Sequence, residues 1–200
     1  MDILVYGLLG LTSVVGVAVV LWRAWVVRWN RVVPSATVTA IVECQTADDL
    51  KKLQGACEAQ PSPLGRLILL AISHLDWPED DNEGSLESAA RQEIVKLERG
   101  LVVLEIIVGI APLLGLVGTI LGMMAVFGDI GQTGLNNMND ASKLAMGISL
   151  ILRTTLIGLL ISIPSLVAWS YFSKKVEVMA VELETLCAEF IRRQYRDKKS

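Results

Sequence analysis

The sequence predicts an all-α membrane protein with three transmembrane helices and long cytoplasmic helical extensions. Hydrophobic residues make up 52% of the 200 residues and charged residues 20%. The apolar residues are concentrated in three blocks, within residues 1–28, 101–127 and 144–172. About twenty helical residues, at about 1.5 Å each, match a hydrocarbon core of about 30 Å, so each block is expected to cross the bilayer.

The flanks of the three spans predict their orientation. The first span begins after Asp2 without Lys or Arg and ends at Trp22-Arg23-Ala24-Trp25, so we expect a retained span, not a signal peptide. Lys and Arg are frequent in 29–100 and 173–200 and nearly absent from the loop 128–143. The positive-inside rule therefore places the N-terminus and this loop outside, and the other two segments inside.

The inner segment 29–100 is predicted to be an amphipathic helical domain. Breaks are expected near Pro34, Gly55, Pro61–Pro63 and Pro78. Ser62 before Pro63 is expected to cap one helix, and Thr46 followed by acidic residues resembles another cap.

Several kinds of site are not expected. Cys44, Cys57, Cys187 and the single His74 have no zinc-type spacing, so we expect reduced structural thiols and no metal or other cofactor. The acidic group around Glu79 lacks the glycine and glutamate positions of a calcium loop. A net charge of −3 does not indicate a nucleic-acid ligand.

Two heptad-like seams lie beside the second and third spans. They consist of Ala90, Ile94, Leu97, Leu101 and Leu104, and of Val176, Met179, Leu183, Leu186 and Phe190. We expect both spans to continue into the cytoplasm as helices packed on each other; alternatively, each seam covers a separate surface of the inner domain.

The second and third spans carry small, hydroxylated and helix-bending residues. Gly115, Gly118 and Gly122 permit close helix approach, and Pro112 and Pro164 free a carbonyl within each span. The hydroxyls belong to Thr119, Thr154, Thr155 and Ser162. A helix that serves only as an anchor needs none of these, so a polar pathway is the favoured interpretation.

An ordered set of motifs resembles the MotA/TolQ/ExbB proton-channel family. The run Ala111-Pro112-Leu113-Leu114-Gly115-Leu116-Val117-Gly118-Thr119 is similar to its second-span signature. Gly147-Ile148-Ser149, Thr154-Thr155, Gly158 and Ile163-Pro164 are similar to the third-span signature. Three spans with an outside N-terminus resemble the ExbB/TolQ branch.

This resemblance implies a non-enzymatic subunit of a proton-motive-force-driven motor in a bacterial inner membrane. It implies a homo-oligomer, a pentameric cage around an ExbD/TolR-like one-span partner, with a TonB/TolA-like periplasm-spanning protein as the recipient of the motion. Threonines matching Thr119 and Thr155 then face the partner's aspartate, and the output is envelope transport or a Tol-Pal-type process. The alternative is a non-conducting oligomeric membrane scaffold.

Three positions qualify the resemblance. Many family members have a glutamate where this chain has Leu150. Arg153 either reaches the outer interface or lies at pore depth and pairs with an acid from another chain. Glu105 either marks the solvated inner mouth or acts as a proton exit group; at fourteen residues from Thr119, about 21 Å, it does not replace the missing glutamate.

Overall fold

The computed structural model describes residues 2–44, 47–133 and 138–199. Within these ranges the chain forms eight α-helices and no strand. The helices are α1 (Asp2–Val26), α2 (Trp29–Val32), α3 (Ser35–Glu43), α4 (Ala47–Ala59), α5 (Pro63–Ser73), α6 (Glu79–Glu98), α7 (Leu101–Thr133) and α8 (Met138–Lys199).

The chain divides into two compact units. The first comprises Met1–Trp22 and Gly100–Tyr171, which contain most of α1, all of α7 and the first part of α8. The second comprises Arg23–Arg99 and Phe172–Ser200, which contain the short helices α2–α6 and the end of α8.

Three of the described helices are long and apolar enough to cross a membrane, at Leu4–Val26, Leu101–Gly131 and within Leu144–Arg196. The predicted all-α membrane class is therefore confirmed. The 62 residues of α8 are about 93 Å long at about 1.5 Å per residue. A bilayer core of about 30 Å takes up only a third of that length, so most of α8 extends beyond the membrane.

The start of α5 follows from its capping residues. The Ser62 hydroxyl accepts a hydrogen bond from the Gly65 amide at 3.0 Å, and Pro63 occupies the first turn, where its missing N–H costs nothing. This predicted cap is confirmed. The predicted cap at Thr46 lies outside the described residues.

The break predicted at Gly55 is wrong, because α4 continues through this residue from Ala47 to Ala59. Leu53 and Cys57, two residues to either side, are 0% and 1% exposed. Burying a leucine is worth about 1.5–3 kcal/mol, whereas glycine inside a helix costs about 1 kcal/mol. Packing therefore outweighs the low helix propensity of Gly55.

The end of α8 contacts several helices of the second unit. The Asn82 amide of α6 donates to the Tyr195 hydroxyl at 3.1 Å, and that hydroxyl donates to the Trp77 carbonyl at 2.9 Å. Arg193 donates to the Val42 carbonyl of α3 at 3.2 Å. All five residues of the second seam, which begins at Val176 and ends at Phe190, are buried. This seam therefore belongs to a helix that contacts α6 and the earlier helices as well.

Candidate functional site

Three threonine side chains of α7 and α8 converge on one backbone carbonyl. The hydroxyls of Thr119, Thr154 and Thr155 donate to the Gly115 carbonyl at 3.0, 3.2 and 3.2 Å. The Thr119 hydroxyl also lies 3.4 Å from that of Thr154 and is hydrogen-bonded to that of Thr155. We call these three residues the threonine cluster.

The threonine cluster has more donors than its shared acceptor can use. A carbonyl oxygen has two lone pairs, and that of Gly115 receives three hydroxyls in addition to the backbone bonding of α7. Thr154 has a second acceptor, the Ile151 carbonyl at 2.7 Å. At least one hydroxyl proton can therefore turn to another acceptor without leaving the Gly115 carbonyl unsatisfied.

Glycines allow α7 and α8 to approach closely enough to form this cluster. A Cβ atom on Gly115 would lie 2.9 Å from the Thr154 carbonyl oxygen, and one on Gly158 would lie 2.6 Å from the Ala111 carbonyl oxygen. Both distances are shorter than carbon and oxygen atoms tolerate without contact strain. Only glycine fits at these two positions with the backbones as they stand.

Gly118 and Gly122 of α7 contact different neighbours. A Cβ atom on Gly118 would lie 2.9 Å from a Val5 methyl of α1 and 3.1 Å from the Thr154 side chain. One on Gly122 would lie 2.6 Å from the Ile151 side chain. The glycine stripe of α7 therefore borders both α1 and α8.

The Ser162 hydroxyl of α8 bonds a backbone carbonyl of α7, a contact that is not among the predictions from the sequence. Pro112 has no N–H, so the carbonyl four residues earlier, that of Val108, loses its helical hydrogen bond. The Ser162 hydroxyl of α8 donates to this carbonyl at 2.9 Å. One sequence feature could have predicted this contact. Pro112 of α7 lies opposite a hydroxyl-bearing residue of α8, the antiparallel neighbouring helix.

The remaining candidate residues lie on exposed surfaces of the chain. Leu150 is 53% exposed, and Arg153, Glu105 and Pro164 are also exposed. Between residues 101 and 133 the only carboxylates are Glu105 and Asp129, and residues 144–172 contain none. At about 1.5 Å per residue, both acids lie at least about 15 Å along α7 from Thr119. The threonine cluster therefore has no acid of its own helices beside it.

From the sequence, Arg23 is expected only to be a positive charge on the inner side of the membrane. In the structure it is 1% exposed, and its guanidinium donates to the Leu97 carbonyl near the end of α6, although its Nε has no partner. A cation at a helix C-terminus interacts favourably with the carbonyl end of the helix dipole. Arg23 therefore stabilises the C-terminal end of α6, just before α7 begins.

Three helices are long and apolar enough to cross a membrane, and two of them share a cluster of hydroxyls. These features indicate a multi-pass membrane protein. A family model described as the MotA/TolQ/ExbB proton channel family matches residues 60–185. The chain belongs to this family, which confirms the resemblance. Members of the family are ion-channel and transport subunits that work with partner proteins in membrane complexes, and the chain is accordingly not an enzyme.

Several curated proteins named ExbB are similar to this chain. It is 27% identical over 161 residues to "Putative biopolymer transport protein ExbB-like 1" of Synechocystis sp., covering 80% of this chain and 63% of the relative. It is 38% identical over 84 residues to "Biopolymer transport protein ExbB" of Helicobacter pylori, covering 42% and 56%. A second Synechocystis relative, "ExbB-like 3", is 28% identical over 93% of this chain and 89% of its own length. The first two relatives are thus matched over less than two thirds of their lengths.

Proposed function

We propose that this chain is the cage subunit of an ExbB/TolQ-like, proton-motive-force-driven motor in a bacterial inner membrane. Five copies would surround an ExbD/TolR-like one-span partner, and a TonB/TolA-like protein would carry the motion to envelope transport or a Tol-Pal-type process. The N-terminus would be periplasmic and the C-terminus cytoplasmic. The convergence of three threonine hydroxyls at a position without an acid carries this proposal.

The proposed chemistry divides the ion pathway between two chains. A hydroxyl donates to a carboxylate and accepts from a protonated acid, so the threonine cluster can hold either state of an acid on the partner. Desolvation of that acid raises its pKa and favours proton uptake. Each proton that crosses releases about 2.3 kcal/mol per 100 mV, enough to bias a conformational step.

Within this proposal, Thr119, Thr154 and Thr155 line the ion pathway. Ser162, also predicted to line it, is assigned to the Val108 carbonyl, because its hydroxyl already donates there. Gly115, Gly118, Gly122 and Gly158 act in helix packing. Arg153 and Glu105 are exposed in the single chain and are available to groups of other chains.

Proton flux through the complex tests the pathway. Thr119→Val and Thr155→Val are each co-expressed with the one-span partner, and proton uptake into vesicles is followed with a pH-sensitive dye. A hydrogen bond to a charged group is worth about 1.5–3 kcal/mol, so flux is expected to fall about tenfold or more. Thr12→Val is the matched control, because the Thr12 hydroxyl bonds the Leu9 carbonyl of its own helix. Unchanged flux in both cluster variants contradicts the assignment.

A non-conducting scaffold is the second candidate, and Leu150 in place of the family glutamate favours it. An uncoupler distinguishes the two. The output of a scaffold survives dissipation of the proton gradient, whereas the output of a motor stops.

A further inference from the structure

The uncharged stretch of α8 has the length of the hydrocarbon core of a bilayer. Between Arg153 and Lys174 lie twenty residues without a charged side chain. At about 1.5 Å per residue this stretch is about 30 Å long, which equals the thickness of the core. Arg153 and Lys174 therefore mark the two levels at which α8 leaves the hydrocarbon.

A contact between α7 and α8 gives the depth of Glu105 in α7. The Ser162 hydroxyl, near the middle of the uncharged stretch of α8, donates to the Val108 carbonyl at 2.9 Å, so these two residues lie at one level. Toward the basic end of the spans, Lys174 is twelve residues from Ser162, or about 18 Å. Glu105 is three residues from Val108 in the same direction, or about 4.5 Å. Glu105 therefore lies about 13 Å inside the hydrocarbon.

A contact of α1 gives a consistent depth. A Cβ atom on Gly16 would lie 3.6 Å from the Ile107 side chain of α7, so these two residues also lie at one level. Arg23, the first charged residue after Asp2, is seven residues from Gly16, or about 10 Å. Glu105 is two residues from Ile107, or about 3 Å, and so lies about 7 Å inside the level of Arg23. Both contacts place Glu105 within the apolar part of the membrane and not at its edge.

The Glu105 side chain lies on the open face of α7. Leu104 and Ile107 are 0% and 5% exposed and belong to the packed face, whereas Glu105 and Ile106 are exposed. Within the part of the chain that the structure describes, the Glu105 carboxylate has neither a hydrogen bond nor an ion pair. A carboxylate at this depth is costly against lipid, and such groups face a water-filled cavity or another chain. The open face of α7 beside Glu105 is therefore not a lipid-facing surface.

Glu105 shares a face of α7 with Thr119 of the threonine cluster. Fourteen residues separate them, which is about 3.9 turns, so their directions around the helix differ by about 40°. Along the helix axis they are about 21 Å apart. Thr119 contacts Thr155, which lies two residues from Arg153, so the threonine cluster is close to the opposite edge of the hydrocarbon. One face of α7 thus carries a hydroxyl near one edge of the membrane and a carboxylate in the other half.

We propose that Glu105 is a second proton-binding group of the ion pathway, in the cytoplasmic half of the membrane. This inference rests on the proposed function, which supplies the direction of proton flow and the partner's acid at the threonine cluster. The Glu105 carboxylate takes up a proton that arrives from the side of the threonine cluster, which forms one O–H bond. It then releases this proton to water at the cytoplasmic end, which breaks that bond and restores the carboxylate.

Three variants separate this role from that of a carboxylate in water. Glu105→Gln keeps the size of the side chain and removes its ability to take up a proton. Glu105→Asp keeps the carboxyl group on a shorter side chain. Glu98→Gln is the matched control, because Glu98 is also exposed but precedes Glu105 by seven residues and lies beyond Arg99, outside the span.

The first measurement is carbodiimide labelling of the full-length complex with its one-span partner in vesicles. Dicyclohexylcarbodiimide is apolar, enters the hydrocarbon and attaches to protonated carboxyl groups there. Mass spectrometry of this chain and of its peptides counts and locates the adducts. The wild type and Glu98→Gln are expected to carry one adduct at Glu105, and Glu105→Gln is expected to lose it. This measurement requires no proton flow, so it tests the location of Glu105 independently of the proposed function.

The second measurement is proton uptake into the same vesicles. Glu105→Gln is expected to lower the flux at least about tenfold, because a positioned proton acceptor typically speeds proton transfer by about a hundredfold or more. Glu105→Asp should retain an intermediate flux, and Glu98→Gln should match the wild type. Native mass spectrometry of each sample should show an intact complex.

Four results overturn the inference. Wild-type flux in Glu105→Gln, while Thr119→Val still loses flux, overturns it and leaves the proposed function standing. Dissociation of the complex in Glu105→Gln means that Glu105 holds chains together by an ion pair. Absence of the adduct at Glu105 means that this residue lies in bulk water. A wild-type complex that conducts no protons overturns the proposed function and the pathway role of Glu105 together.

Discussion

Gly158 and Gly115 determine how closely α7 and α8 can approach. For Gly158→Ala, the added Cβ would lie 2.6 Å from the Ala111 carbonyl oxygen, so one of the two backbones must shift. Overpacking of this kind costs about 1–3 kcal/mol. We expect a lower midpoint of thermal unfolding in detergent, measured by tryptophan fluorescence, and loss of proton flux if the shift separates the threonine cluster.

Gly109→Ala is the control for this change. Gly109 also lies in α7, but no atom lies within 4 Å of its Cβ position. Alanine has a higher helix propensity than glycine, so this variant should be at least as stable as the wild type. Equal losses in both variants would show that helix propensity, and not close approach, determines the effect.

Glu93 provides the clearest pH dependence among the groups outside the spans. Its carboxylate accepts hydrogen bonds from Arg66 at 3.2 Å and from Lys96 at 2.7 Å. Burial is the largest single influence and raises the pKa of Glu93, but hydrogen bonds from Arg66 and Lys96, together with their charges, lower it by more. The pKa of the folded state therefore lies below the ordinary value of 4.5.

The sign of the stability effect follows from this lowered pKa. Ionised Glu93 stabilises the fold above a pH of about 4.5, and this contribution is lost as the pH falls through the lower pKa of the folded state. The difference in unfolding midpoint between the wild type and Glu93→Gln should therefore shrink on acidification. The size of the effect is limited because the Arg66 and Lys96 side chains are 50% and 52% exposed.

A second glutamate serves as the control for this pH series. Glu87 pairs with Arg91, and these side chains are 59% and 73% exposed. Such pairs contribute little to stability, so Glu87→Gln should have nearly the same midpoint as the wild type from neutral to acidic pH. A Glu93→Gln difference that grows on acidification would contradict the lowered pKa.

At the scale of the helices, Pro112 and Ser162 form a compensating pair between α7 and α8. Ser162→Ala leaves the Val108 carbonyl without the hydroxyl donor at 2.9 Å. Hydrogen bonds between membrane helices are worth about 0.6 kcal/mol on average, and up to about 1.7. Pro112→Ala returns a backbone N–H to the same carbonyl, so Ser162→Ala should cost less in the Pro112→Ala background.

A double-mutant cycle of thermal unfolding midpoints measures this coupling. Ser165→Ala is the matched control, because its hydroxyl bonds the Ile161 carbonyl of its own helix and is unrelated to Pro112. Additive effects of the Pro112 and Ser162 substitutions would mean that the serine does not replace the lost helical hydrogen bond.

The elements that the sequence predicted well are those with a strong local signal. The three apolar spans follow from length and hydropathy, and the start of α5 follows from Ser62 and Pro63. Gly55 shows the limit of this reasoning, since burial of Leu53 and Cys57, a tertiary effect, keeps α4 intact. For the site, the residue types in the two spans identified the threonines and glycines. The shared acceptor of the three threonines, the Gly115 carbonyl, could not be predicted, because it depends on the register of α7 against α8, which no local pattern specifies.

For the molecule as a whole, the chain supplies hydroxyls and close helix packing but no acid beside them. In the proposed function, the carboxylate that these hydroxyls hold in the proton pathway comes from another polypeptide, which agrees with a family that works with partner proteins. Basic residues are unevenly distributed along the sequence. They are frequent in the two segments of the second unit and scarce in residues 128–143. This distribution predicts how the whole molecule is oriented in the membrane, and that orientation can be tested directly.

Labelling with a membrane-impermeant maleimide tests that orientation. Ser142 and Ser35 are both exposed, and each is replaced by cysteine in a chain whose native cysteines are changed to alanine. Ser142→Cys should react in cells with a permeable outer membrane and intact inner membrane, and Ser35→Cys only after the inner membrane is opened. The cysteine-free chain is the background control. The unaltered chain should also react little, because Cys44, Cys57 and Cys187 are buried, and burial together with Glu58 raises the pKa of the Cys57 thiol to about 11. The reverse labelling pattern would invert the topology and place the basic segments in the periplasm.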